Sequence, residues 1–394
     1  MPHARVQGAP RRPAECGNLS PLSSKWKSAR RQWPLFLVAR LLQRASAGST
    51  PAGGCASLMI STLARPTAGA PLRLRPTPVF GVNPGGLRMW SWAPADLPRG
   101  APLVVVLHGC GQSAQGFAAG AGWLTLAQRR GFALLAPEQT RANNPARCFN
   151  WFEPGDTSRG RGEAASIRAM IERMFELHRL DRRRVFVTGL SAGGCMALAQ
   201  MAAYPEVFEA GAVIAAAPVG AASNLREAMI VLGQPPAVER QALAARLRAL
   251  GGQVGRWPRL AIWQGQADRT VAPANGHAIA AQWLAVQGLS ETPPAVAELG
   301  PVHRSTWTDR WGKPVVELDL VEGLGHGAPI AAFGTNPLGR PGAFLLEAGV
   351  SSTAEIARFF GLTRDVEPVA GSLMPEPGAV GALRRFWRRL TRPV

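Results

Sequence analysis

No run of about 18 consecutive apolar residues occurs in the chain, so the sequence predicts no membrane-spanning helix. Cys-x-x-Cys and His-Glu-x-x-His patterns are both missing, and no metal site or cofactor is predicted. The cysteines are Cys16, Cys55, Cys110, Cys148 and Cys195, an odd count that fits no complete disulfide framework. No internal repeat is visible, which excludes a solenoid. Acidic residues are few: 25 Asp and Glu face 44 Lys and Arg, for a formal net charge of +19. Such an excess invites a nucleic-acid reading, and its location argues against one. Residues 1–75 hold 12 Lys and Arg with one acid, residues 362–394 hold six Arg with three acids, and residues 76–361 hold 26 basic and 21 acidic residues. The charge belongs mostly to the tails. It points to weak contact with an anionic surface rather than to a nucleic-acid groove in the domain.

Hydrophobic residues make up 46% of the chain, enough for a sizeable core. Residues 1–75 are rich in Arg, Pro, Ser, Ala and Gly and are expected to be mostly disordered. Within them, basic residues precede the apolar stretch Trp33–Leu42 and Ala45-Ser46-Ala47 follows it. This is the order of a signal peptide, although Arg40 interrupts the apolar part. Residues 362–394 read as a linker ending in a short basic amphipathic helix, Leu383–Leu390.

Between these tails, residues 76–361 alternate strand and helix patterns. Gly86–Trp92 alternates as an edge strand does, and Leu103–Leu107 is a continuous apolar run, as in a strand buried on both faces. A helix over 115–130, the strand Phe132–Ala136 and a long loop from Pro137 to Gly162 follow. Then come a helix over 163–178, the strand beginning at Val185, the helix Ala192–Ala203 and the strand Gly211–Ala217. Two helices over 221–250 read as a cap over the sheet. The strand Arg259–Trp263, a helix over 274–287, the alternating strand Val315–Val321 and a helix over Ser351–Phe360 complete the domain. This order predicts a doubly wound, mainly parallel sheet.

One stretch carries the chemistry. Gly189-Leu190-Ser191-Ala192-Gly193 lies between a β-branched strand and an Ala-rich helix. Glycines on both sides permit a turn sharp enough to hold a serine hydroxyl proud of the sheet at a helix N-terminus, the nucleophile elbow of an α/β-hydrolase. Such a serine needs a base and an acid, which follow it along the chain in this fold. Of the histidines behind it, His326 sits just past a strand in Gly323-Leu324-Gly325-His326-Gly327 and is the preferred base. His277 lies inside a helix, and His303 precedes the last strand. Asp268, in the loop after Trp263, is the preferred acid, with Asp309, Asp319 and Glu322 as rivals. Asp319 falls in an alternating strand, on an exposed or structural face.

Acyl transfer also needs N–H donors aimed at the developing oxyanion. Ala192 at the helix start should supply one. The loop His108-Gly109-Cys110-Gly111 should supply another, from Cys110, with Gly109 and Gly111 as rivals. His108 reads mainly as support for this loop. Cys110 and Cys148 both fall in loops expected at the same sheet edge, so a disulfide and two free thiols both remain open. His108, Trp151 and Trp307 are candidates to line the substrate cleft.

Together these stretches resemble the esterase family that includes extracellular short-chain polyhydroxyalkanoate depolymerases and related feruloyl and acetylxylan esterases. The resemblance covers about 80–361. It rests on Leu107–Gln112, Pro137–Gln139, Asn143–Trp151, Arg161–Glu163, Gly189–Gly194, Gly265–Asp268, Gly325–Pro329, Glu347–Thr353 and Ile356–Gly361. It implies Ser191, Asp268 and His326 as a triad, the Cys110 and Ala192 amides as the oxyanion hole, and an exported enzyme acting on a polyester or its oligomers. A feruloyl or acetylxylan esterase is the enzymatic alternative. A non-catalytic α/β-hydrolase that binds anionic surfaces through its tails is the alternative of another class.

Overall fold

In a computed structural model the chain is described over residues 71–235, 239–251, 255–293 and 295–363. The proposed leader around Trp33–Leu42, the tail helix Leu383–Leu390 and most of both basic tails lie outside the described residues. The domain reaches slightly further back than Pro76. Leu74 is buried, and its N–H donates to Gln115 Oε1 at 2.7 Å.

The strands, in chain order, are β1 (Arg75–Pro76), β2 (Arg88–Trp92), β3 (Ala101–Leu107), β4 (Ala133–Glu138), β5 (Leu180–Leu190), β6 (Ala210–Ile214), β7 (Arg259–Gly265), β8 (Ala295–Leu299), β9 (Val302–Thr308), β10 (Pro314–Val321), β11 (Ala328–Ile330) and β12 (Leu345–Glu347). The first ten form one sheet in the order β1-β2-β4-β3-β5-β6-β7-β10-β9-β8. Its centre, from β4 to β10, is parallel. Both sides are antiparallel, with β2 and β1 at one edge and β9 and β8 at the other. Helical crossovers place cover on both faces, so the central strands carry apolar residues at successive positions. In β3, Leu103, Val105 and Leu107 enter one core, which also takes Ile167, Met170, Met196 and Trp283 from helices Gly162–Leu177, Ala192–Ala203 and Ala274–Gln287. Val104 and Val106 enter the other, with Phe117, Trp123, Ile356 and Phe360 from helices Ala114–Gly120, Trp123–Arg130 and Ser352–Phe360.

Several elements differ from the sequence reading. The helix expected over 115–130 is two helices, parted at Gly122 (φ +92), where a Cβ would press on Leu338. The region 221–250 does form two helices, Leu225–Gly233 and Arg240–Gly251. The second packs on helices Ala192–Ala203 and Ala274–Gln287 and thickens the helical layer. The β8–β9 hairpin was not anticipated. Every residue of β8 is exposed, so it lacks the apolar alternation that marks a strand.

β10 was expected to alternate, with Asp319 on an exposed or structural face. It is buried at five successive positions, Val315–Asp319, and Asp319 is fully buried. The reason is pairing: Arg304 Nε lies 2.6 Å from Asp319 Oδ1, and Arg358 Nη2 of the last helix lies 2.7 Å from Glu317 Oε2. Removing one partner would strand a buried charge. Arg304→Met is therefore expected to lower unfolding free energy by about 3 kcal/mol in urea denaturation. An unchanged transition would show that the pair contributes nothing.

Candidate active site

The site starts from a backbone collision that only glycine avoids. Ser191 joins β5 to helix Ala192–Ala203 with φ 56° and ψ −121°, a conformation that side-chain-bearing residues rarely adopt. A Cβ on Gly189 would overlap the Gly193 carbonyl, and one on Gly193 would overlap the carbonyls of Leu107 and His108. The Ser191 N–H donates to Ile214 O at 2.8 Å, which pins the turn to the end of β6.

Asp268 lies three residues past β7 and His326 five past β10, both beyond strand ends at the edge that carries Ser191. Ser191 Oγ is 3.1 Å from His326 Nε2, and His326 Nδ1 is 2.8 Å from Asp268 Oδ2. The other Asp268 oxygen accepts the N–H groups of Thr270 and Val271, both at 2.8 Å, and the carboxyl side chain is fully buried. This fixes the carboxylate's direction. It favours the imidazole tautomer with its proton on Nδ1, leaving Nε2 to accept from the serine hydroxyl. The rivals are engaged elsewhere. His303 pairs with Glu298 on the exposed hairpin, Asp319 pairs with Arg304, Asp309 accepts the turn N–H groups of Trp311 and Lys313, and Glu322 is exposed.

In the loop after β3, the Gly109 N–H donates to Gln112 Oε1 at 2.9 Å and the Gly111 N–H donates to Ala146 O at 2.8 Å. Both rival donors are therefore occupied. Among the described residues no protein acceptor engages the N–H of Cys110 or that of Ala192, the first residue of the elbow helix.

Cys110 and Cys148 are joined by a disulfide, which ties this loop to the long loop over 137–162. Cys195 is a free, buried thiol, and burial pushes its pKa up to about 12. His108 is no part of a substrate cleft. It is fully buried, its Nδ1–H donates to Gly109 O at 2.8 Å, and its Nε2 accepts the Gln139 N–H at 3.1 Å. Burial pulls its pKa down to about 4, so it is a neutral strut between the two loops. Trp307 also leaves the cleft. It is buried on β9 opposite Val316, and Val316 pairs with Leu260 near the start of β7, far along the strands from the edge bearing Asp268. Trp151 is half-buried and lines an apolar pocket beside the elbow helix.

Three further residues shape the site. Glu163 is fully buried and accepts from Asn150 N–H (2.9 Å), Asn143 Nδ2 (3.2 Å) and Gln139 Nε2, holding the long loop from within. Burial raises its pKa well above the usual carboxylate range. Gln112 accepts from Gly109 and donates to Ala343 O at 3.0 Å. Next to Ala343, Phe344 (φ 61°) sets its ring edge-on to His326 at 5.8 Å. A charged residue inside a glycine-flanked helix start, as at Glu163, was the available signal. Nothing local marks Phe344.

A serine hydroxyl bonded to an imidazole that is bonded to a buried carboxylate, on a doubly wound, mainly parallel sheet, defines the class: a serine hydrolase of the α/β-hydrolase fold. The chain belongs to the family described as esterase PHB depolymerase, whose model matches residues 90–298. That span contains Ser191 and Asp268 and ends before His326. Poly(3-hydroxyalkanoate) depolymerase C of Paucimonas lemoignei is 40% identical over 287 residues, 72% of this chain and 69% of that protein. An acetylxylan esterase of Coprinopsis cinerea is 32% identical over 64% of this chain and 68% of its own length. Feruloyl esterase B of Thermothelomyces thermophilus is 30% identical over 63% and 86%. The structure of an acetyl xylan esterase from Aspergillus awamori shares the fold, with a TM-score of 0.62 and 22% identity over 73% of this chain and 99% of that one.

The buried neutral His108 makes stability depend on pH. Its folded pKa lies below the usual 6.5, so the unfolded chain takes up the extra proton and stability falls as pH drops from 6.5 towards 4. A His108→Gln variant removes this contribution whatever else it perturbs. Between pH 7 and pH 4, wild type is expected to lose about 3 kcal/mol more than the variant in chemical denaturation. Parallel pH profiles would contradict a buried neutral histidine.

Proposed function

We propose that the protein hydrolyses short-chain hydroxyacyl esters, polyhydroxybutyrate or its oligomers, through an acyl-enzyme on Ser191. The observation that carries this reading is the Ser191–His326–Asp268 hydrogen-bond chain, in a sequence 40% identical to a poly(3-hydroxyalkanoate) depolymerase. His326 Nε2 takes the serine proton as Oγ attacks the ester carbonyl. Asp268 holds the ring and stabilises the imidazolium. The Cys110 and Ala192 N–H groups receive the oxyanion. The imidazolium then protonates the departing alcohol. Water, deprotonated by the same ring, releases the hydroxy acid.

The reaction takes place outside the cytoplasm in this reading. The Cys110–Cys148 bond braces the oxyanion loop, and such bonds persist in oxidising compartments. Among the described residues no helix is long and apolar enough to cross a membrane. Contact with anionic surfaces through the tails falls outside the described residues. A second reading, an acetylxylan or feruloyl esterase, is favoured by relatives of those names at 32% and 30% identity.

A panel of p-nitrophenyl butyrate, hydroxybutyrate oligomers, acetylated xylan and methyl ferulate separates the two readings. The proposal predicts the highest kcat/KM on the oligomers, and loss of about 10⁴-fold or more in kcat for Ser191→Ala. Preference for methyl ferulate or acetylated xylan would favour the second reading. Wild-type turnover in Ser191→Ala would overturn the nucleophile assignment.

A further inference from the structure

An apolar pocket of about 210 Å³ opens beside the elbow helix, lined among others by Trp151, Cys195, Ala199, Val219, Arg246 and Leu250. Cys195 and Ala199 lie four and eight residues beyond Ser191. At the α-helical rise the pocket thus spans from about 6 to about 12 Å along the axis from the proposed nucleophile. Its walls are small or apolar side chains, apart from one threonine and one charge. That charge is Arg246, and no acidic residue lines the pocket. Arg246 Nη1 is buried and has no hydrogen-bond partner. The side-chain stem runs past Gly220, where a Cβ would sit 3.4 Å from the arginine Cβ and 3.7 Å from its Cδ.

A buried guanidinium N–H without an acceptor is costly, and an apolar wall cannot supply one. Nη1 itself is closed to a ligand; what the pocket offers is the one positive charge on its lining, with no acidic residue beside it. A guanidinium fork matches a carboxylate, and the surrounding surface suits short methyl and methylene groups. A phosphate-like dianion would call for further positive charge, and no second basic residue lines the pocket.

We propose that this pocket is a subsite for the free carboxylate end of a short hydroxyacyl oligomer, held by Arg246 while its apolar units lie against Trp151, Ala199 and Val219. The inference rests on the hydroxyacyl-ester reading. It adds that chain ends are bound in preference to uncharged chain interiors.

The test compares 3-hydroxybutyrate trimer as the free acid and as its methyl ester, with wild type and Arg246→Met, which keeps the stem and removes the charge. In wild type the free acid is expected to show a KM at least about tenfold below that of the methyl ester. In Arg246→Met the two values should converge, with turnover of the methyl ester and of p-nitrophenyl butyrate unchanged and a melting temperature no lower than that of wild type. Equal KM values in wild type, or an undiminished preference in Arg246→Met, would overturn the subsite while leaving the hydroxyacyl-ester reading intact. Inhibition by glucuronate as strong as that by the trimer acid would reassign the carboxylate to a uronic acid and overturn the oligomer assignment. Hydrolysis of p-nitrophenyl butyrate but of neither trimer would overturn the hydroxyacyl-ester reading and the subsite with it.

Discussion

The active edge turns on an approach of backbone to backbone: Gly193 of the elbow helix lies so near the carbonyls of Leu107 and His108 at the end of β3 that a Cβ there would overlap them. The rest of the active edge depends on this contact. It brings the first turn of the helix against the loop that carries Cys110. The serine and the two free N–H groups are thereby placed by one interaction between two rigid elements. Any side chain at 193 would push them apart. The strained backbone of Ser191 is tolerated because β5, β6 and the helix over-determine its position.

Around this contact, two loops are bound into one body. His108 accepts from Gln139, Cys110 is bonded to Cys148, and the Gly111 N–H donates to Ala146. These ties join the loop after β3 to the loop over 137–162, and Glu163 holds the second loop from its buried side. Gln112 extends the linkage to the segment of Ala343 and Phe344, which packs on His326. The proposed oxyanion donors and the proposed base therefore share a continuous set of contacts. In the proposed reading, substrate preference is left to side chains that project from this frame, such as Trp151, and to the neighbouring helix Arg240–Gly251.

Much of this was legible in the sequence because it is local. The Gly-x-Ser-x-Gly turn between a β-branched strand and an Ala-rich helix is readable from spacing. So is the order Ser191, Asp268, His326, each placed just past an apolar strand. The central parallel strands announce themselves as apolar runs, since both faces are covered. What was hidden is set by partners distant in sequence. His108 reads as loop support with the cleft as a second option, and only its burial and the Gln139 N–H decide for support. Trp307 looks like a cleft aromatic until the register of β9 on β10 carries it to the far end of the sheet. Asp319 reads as exposed or structural until its buried pairing with Arg304 decides for the structural role. Which of Gly109, Cys110 and Gly111 keeps an N–H free for an oxyanion depends on which N–H groups the loop itself consumes, and the loop consumes those of Gly109 and Gly111.

The central claim is that Ser191 alone is the activated nucleophile. Its most direct test is stoichiometric labelling with a p-nitrophenyl alkylphosphonate, which loses p-nitrophenolate on attack, followed by peptide mass mapping. The account predicts one adduct per chain, on the peptide containing Ser191, with esterase activity lost in proportion to labelling. Labelling at another residue in step with inactivation, or full activity after complete modification of Ser191, would contradict it.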